Sequence, residues 1–200
     1  MTKNLGRKTI LAVVGAAAIL LTSRLAFASF AQDIIAFTPG NPYFPDAPIR
    51  NLLGPPDEAY NWRQVLGSIG HLGSVVVDMG EQGIVDVAGP DIFLWHGGFA
   101  DSFAVIEGLQ IEVSEDGSLF HLVAVLPEQD VIYPPVPLFS RPVDIAPTGL
   151  SVARFLRITD TGTDPEYYGL ELNAIEAIPE PATTALLGLG GLVLLRRRQK

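Results

Sequence analysis

From Ser74 to Ile178 the chain repeats one pattern: short runs with apolar residues at every second position, separated by Gly, Pro, Asp and Ser. Val75 and Val77 alternate with Ser74 and Asp78, Ile111 and Val113 with Gln110, Glu112 and Ser114, and Leu156 and Ile158 with Arg157 and Thr159. A period of two puts one set of side chains on a buried face and the other in water, as in a half-buried strand. The runs Ser74–Met79, Ile92–Trp95, Phe103–Ser114, Leu119–Leu126, Ala153–Thr159 and Leu170–Ile178 are therefore predicted strands. No stretch keeps a helical period for three turns. The fold class that follows is all-β, an antiparallel β-sandwich. Ser114-Glu115-Asp116-Gly117 supplies tight-turn chemistry, so Gln110 to Ala124 is a predicted hairpin.

Two stretches carry no such pattern. Phe30–Asn61 is rich in Pro, Asn and Asp, and Pro127–Pro147 holds Pro134, Pro135, Pro137 and Pro142. Aromatic and aliphatic residues interrupt both, so they are predicted to be ordered loops over the sandwich. No internal repeat is visible, and His71, His96 and His121 lie in unlike surroundings without metal-ligand spacing.

The two ends differ from the middle. Lys3, Arg7 and Lys8 precede the apolar run Ile10–Leu21, and Ala26-Phe27-Ala28 follows at the distance of an export cleavage site. This is a secretory signal peptide in outline. Ser29-Phe30-Ala31 offers a second cleavage register, and Arg24 leaves an uncleaved anchor open. At the other end, Pro179-Glu180-Pro181 precedes the apolar span Ala182–Leu195 and then Arg196, Arg197 and Arg198. Those fourteen residues make a helix of about 21 Å, short of a hydrocarbon core of about 30 Å. The arginines would keep this end cytoplasmic during a transient stay in the inner membrane. The division expected is 1–28 signal peptide, 29–51 extended segment, 52–178 sandwich domain and 179–200 tail.

Charge sharpens the picture of the middle. All 22 acidic residues lie between Ser29 and Glu180, where five arginines and no lysine oppose them, leaving this stretch at −17. Nucleic acid and anionic membrane surfaces are excluded as partners. Solubility outside the cell and a role for divalent cations account for the acidity equally well. There is no cysteine, so thiol catalysis and thiolate metal sites are excluded.

Pro179-Glu180-Pro181, the short Gly- and Leu-rich span and the cluster Arg196–Arg198 together resemble the PEP-CTERM sorting signal of Gram-negative bacteria that make extracellular polysaccharide. The resemblance implies an exosortase as processing partner, removal of the tail, and a final place at the cell surface or outside the cell. It covers only the last 22 or so residues and speaks to destination. The middle, from Leu53-Gly54-Pro55-Pro56-Asp57 through Val113-Ser114-Glu115-Asp116-Gly117 to Gly169-Leu170-Glu171-Leu172-Asn173-Ala174-Ile175, is similar to discoidin-like jelly rolls, the galactose-binding-like sandwiches. Members usually bind ligands or serve as structural modules. In some, a calcium ion ties the domain's start to its end.

That resemblance implies Asp57 and Glu171 as calcium ligands. Asn173 is placed on the face of Glu171 by strand alternation, and Asp91, with Asp86 behind it, is a further candidate. Glu171 and Asn173 stand where the family tends to have aspartates. The plainer account of Asp57 and Asp91 is that each caps its own turn. For carbohydrate, Tyr60, Trp62, Tyr167 and Tyr168 lie in loop contexts suited to an aromatic platform, whereas Trp95 sits in an apolar run and reads as core. No nucleophile elbow or paired-histidine motif is present, and in so acidic a chain no carboxylate pair stands out. The expected function is a non-catalytic surface or matrix protein associated with exopolysaccharide or biofilm. The alternatives are a carbohydrate-binding module and a secreted hydrolase.

Overall fold

A computed structural model describes residues 29–41, 48–56, 67–97, 104–106, 108–131, 138–163 and 170–178. The strands are β1 (Ser29–Phe30), β2 (Asp33–Thr38), β3 (Gly67–Gly70), β4 (Ser74–Asp78), β5 (Ile84–Val85), β6 (Ile92–Gly97), β7 (Ala104–Ile106), β8 (Leu109–Ser114), β9 (His121–Leu126), β10 (Gln129–Val131), β11 (Leu138–Val143), β12 (Val152–Ala153), β13 (Phe155–Asp160) and β14 (Leu170–Ala177). Two short 3-10 turns, Ile49–Leu52 and Ala146–Thr148, are the helical elements among the described residues.

All pairings are antiparallel. One sheet runs β1-β14-β6-β11, with β3 joined to β14 beside β1, and the second runs β2-β4-β13-β8-β9. The alternation seen in the sequence sets the register. Leu156 on β13 stands between Val77 of β4 and Val113 of β8, and Ile158 stands between Val75 and Ile111. These six side chains are at most 1% exposed and share one core with Ile92, Leu94, Leu172 and Ile175 of the other sheet. The molecule is thus the β-sandwich its pattern implies, with inward faces dry. On the outer face of the second sheet, Arg157 donates two 2.6 Å hydrogen bonds to Glu112, and its guanidinium lies 4.2 Å from the centre of the Phe120 ring.

The predicted hairpin is present as β8 and β9, with Ile111 opposite Ala124. Asp116 closes its turn by accepting from the Ser118 and Leu119 amides and the Ser118 hydroxyl. The single run expected over Phe103–Ser114 is broken between β7 and β8. At that break Gly108 accepts from the Thr161 amide, and a Cβ on Gly108 would meet Thr161 Oγ1 at 2.9 Å.

Both stretches assigned to loops contain strands. The segment 29–51, expected ahead of the sandwich, is built into it: β1 pairs β14, β2 pairs β4, and residues 28–178 form one compact unit. β11 lies within Pro127–Pro147. It includes Pro142 because it is an edge strand, where a missing N–H breaks no ladder. The predicted signal peptide and the tail from Pro179 lie outside the described residues.

Candidate functional site

The chain enters and leaves the sandwich at one end. Ser29 pairs with Ala177 and Phe30 with Glu176, and on its other side Ala177 pairs with Ile92. Beyond the last ladder residue, the Ile178 amide donates to the carbonyl of Asp91 at 2.8 Å. Asp91 is fully buried, and its carboxylate accepts from the Val87 amide through Oδ1 and the Ile145 amide through Oδ2, both at 2.8 Å. Burial pushes its pKa up, and the two amides pull back against that shift. Exposed Asp86 and Asp144 complete a group in which one carboxylate oxygen from each residue lies within 4.8 Å of the others. Such a trio has the chemistry of a cation site, but both oxygens of its buried member already hold two loops together.

At the opposite end, β3 and β14 bring Glu171 directly across from Ser68. Ser68 is fully buried, and among the described residues neither its Oγ nor Glu171 Oε1 has a hydrogen-bond partner. Desolvation pushes the Glu171 carboxyl up to about 7. Strand register thus sets a dehydrated carboxyl opposite a dehydrated hydroxyl, each with spare acceptor capacity. Nearby on β6, His96 faces inward, and burial, reinforced by the Arg141 charge, lowers its pKa to about 3. It is a neutral imidazole at physiological pH.

Of the expected calcium ligands, Glu171 and Asp91 are not brought together. About seven residues of strand, roughly 20 Å at the usual rise, separate Glu171 from the Ile178 position beside Asp91. A register irregularity falls between Leu172 and Ala174, so that Leu172 and Ile175, three residues apart, both reach the core. Asn173 itself is buried. Asp57 lies outside the described residues, as do Tyr60, Trp62, Tyr167 and Tyr168.

Trp95, read as core from the sequence, lies on the outer face of the first sheet. Its neighbours Leu94 and His96 point inward, while the partly exposed indole donates from Nε1 to Glu176 Oε2 at 2.8 Å. The Phe93 ring lies 6.2 Å away, tilted by 59°. Sequence reasoning missed Ser68, Asp144 and Glu176 as site residues. Ser68 and Glu176 become visible only through strand register, and Asp144 through the loop that Asp91 ties down.

Residues 177–199 match the PEP-CTERM protein-sorting motif. No curated protein matches the chain by sequence. Among solved structures, the family 32 carbohydrate-binding module of Streptococcus pneumoniae EndoD is similar at 9% identity and TM-score 0.47, over 78% of this chain and 98% of that one. The C-terminal domain of a Bacteroides fragilis chitobiase is similar at 15% identity and TM-score 0.47, over 74% and 93%. Reduced XRCC1 bound to the DNA pol beta catalytic domain is similar at 9% identity and TM-score 0.47, over 78% and 100%. The C-terminal match is specific: this chain carries the sorting motif of exported proteins that an exosortase processes.

Proposed function

We propose that this chain is a non-catalytic protein of the cell surface or extracellular matrix, whose sandwich works in a layer of exopolysaccharide after the tail has been removed. The observation that carries this reading is the sorting motif at residues 177–199, continuous with the last strand of the sandwich. An acidic middle with no lysine suits a hydrated matrix and disfavours anionic surfaces. Intact mass of the protein from its native host tests it. The expected product lacks Arg196–Lys200 and is found in the surface or matrix fraction; a chain retaining those residues there would overturn the reading.

A second reading, carbohydrate binding by the sandwich itself, is favoured by the outer face of the first sheet. There two aromatic rings flank a carboxylate, the combination that stacks on a pyranose and accepts from its hydroxyls. The high negative charge of the domain points to neutral glycans, and a glycan array separates the two readings.

We further propose a structural divalent cation, calcium by its preference for oxygen, at Glu171 and Ser68. The fit rests on the two buried oxygens there that lack partners among the described residues. The Asp86–Asp91–Asp144 group is the weaker choice, because amides already engage both Asp91 oxygens.

A further inference from the structure

The sorting motif and the last strand share residues. The matched motif begins at Ala177, which is the final residue of β14, 3% exposed and paired on both sides, with Ser29 and with Ile92. Ile178 follows, and its amide is held by the Asp91 carbonyl. Pro179 comes next in sequence, so no linker separates the ladder from Pro-Glu-Pro. A peptide-cleaving enzyme binds its substrate as an extended, locally opened chain, and cleavage of a folded protein follows the population of the opened form.

Resting on the sorting reading, we propose that Ala177 and Ile178 serve two partners in turn, the sheet and the exosortase, so that tail removal requires the end of β14 to peel away from β1 and β6. The sandwich then competes with the enzyme for the front of the motif. Opening this end gives up the Ile178–Asp91 bond and the pairing of Ala177 on both sides. Asp91 sets how firmly the end is held, because its side chain fixes the loop whose carbonyl receives Ile178. In the step itself one peptide bond at the motif breaks. Its acyl carbon passes to water or to an amine acceptor, and the tail leaves with a new amino terminus.

The test gives each partner its own copy. Gly-Ser-Gly-Ser-Ala-Ile is inserted between Ile178 and Pro179 of the full chain, and tail loss is followed by pulse–chase and intact mass in the native host. The insertion lies beyond the last hydrogen bond among the described residues, so every described contact of the sandwich is kept. The expected result is tail removal about tenfold faster than in the parent chain, the scale of one or two net hydrogen bonds no longer broken beforehand. Equal or slower removal overturns the coupling and leaves the sorting reading intact. Retention of the tail in both chains overturns the sorting reading together with this proposal.

Discussion

Glu171 on β14 stands directly across from Ser68 on β3, each presenting a buried oxygen with no hydrogen-bond partner among the described residues. An ionised carboxyl is costly there, which is the origin of its raised pKa of about 7.

That shift has a definite sign in stability. Below pH of about 4.5 the group is protonated whether the chain is folded or not. As pH rises toward 7 the unfolded chain ionises first, so stability falls across this window and the full cost is present above it. Glu171→Gln should leave stability near pH 4 changed only by a constant offset and raise it, relative to the parent, by up to about 3 kcal/mol at pH 8. His96 pulls the other way as pH falls, but it is common to both proteins and cancels in the difference. Urea unfolding at pH 4, 6 and 8 in the presence of a chelator measures this; parallel pH profiles would show that Glu171 is not desolvated.

Calcium should reverse the penalty. Thermal unfolding of the protein near pH 7.5 is expected to rise by several degrees with calcium over chelator. Glu171→Gln should abolish that rise and Asp144→Asn should preserve it. The reverse pattern would move the ion to the Asp86–Asp91–Asp144 end, and no rise in the parent would leave the acidity as a solubility feature.

Asp91 joins three segments, through Val87, Ile145 and the carbonyl that receives Ile178. Asp91→Ala leaves two amides without acceptors and should destabilise the sandwich by about 2–4 kcal/mol, read as a lower urea midpoint at unchanged slope. Asp144→Ala removes one exposed acceptor for the Ala146 amide and should cost less than about 1 kcal/mol.

If the outer face of the first sheet binds neutral glycan, Trp95→Ala should weaken retention on a bound polysaccharide by about fivefold or more while the core stays intact. Affinity electrophoresis in gels with and without the polysaccharide reads this directly. Unchanged mobility of both proteins would remove the second reading.

Much of the architecture was legible because a half-buried strand writes itself as alternation. Val75/Val77, Ile111/Val113 and Leu156/Ile158 lie in three neighbouring strands and follow that rule without interruption. The edge strands hid for physical reasons. β2 carries a bulge between Ile34 and Ala36, and β11 is an edge strand that tolerates Pro142, so neither shows an uninterrupted period of two. The sorting motif was legible because it is contiguous. The polar sites were not, because Glu171 and Ser68, or Asp91 and Asp144, meet only through register and loop packing. The irregularity between Leu172 and Ala174 likewise shows only in the register with β6.

The position of β14 in its sheet bears on when the protein becomes a protein. This strand binds β1, β3 and β6 together, yet it is the last part of the sandwich to be synthesised. Until residues 170–177 leave the ribosome, the first sheet lacks its hub, and the core lacks Leu172, Ile175 and Ala177. The first sheet therefore cannot close before the whole of the sandwich sequence is available.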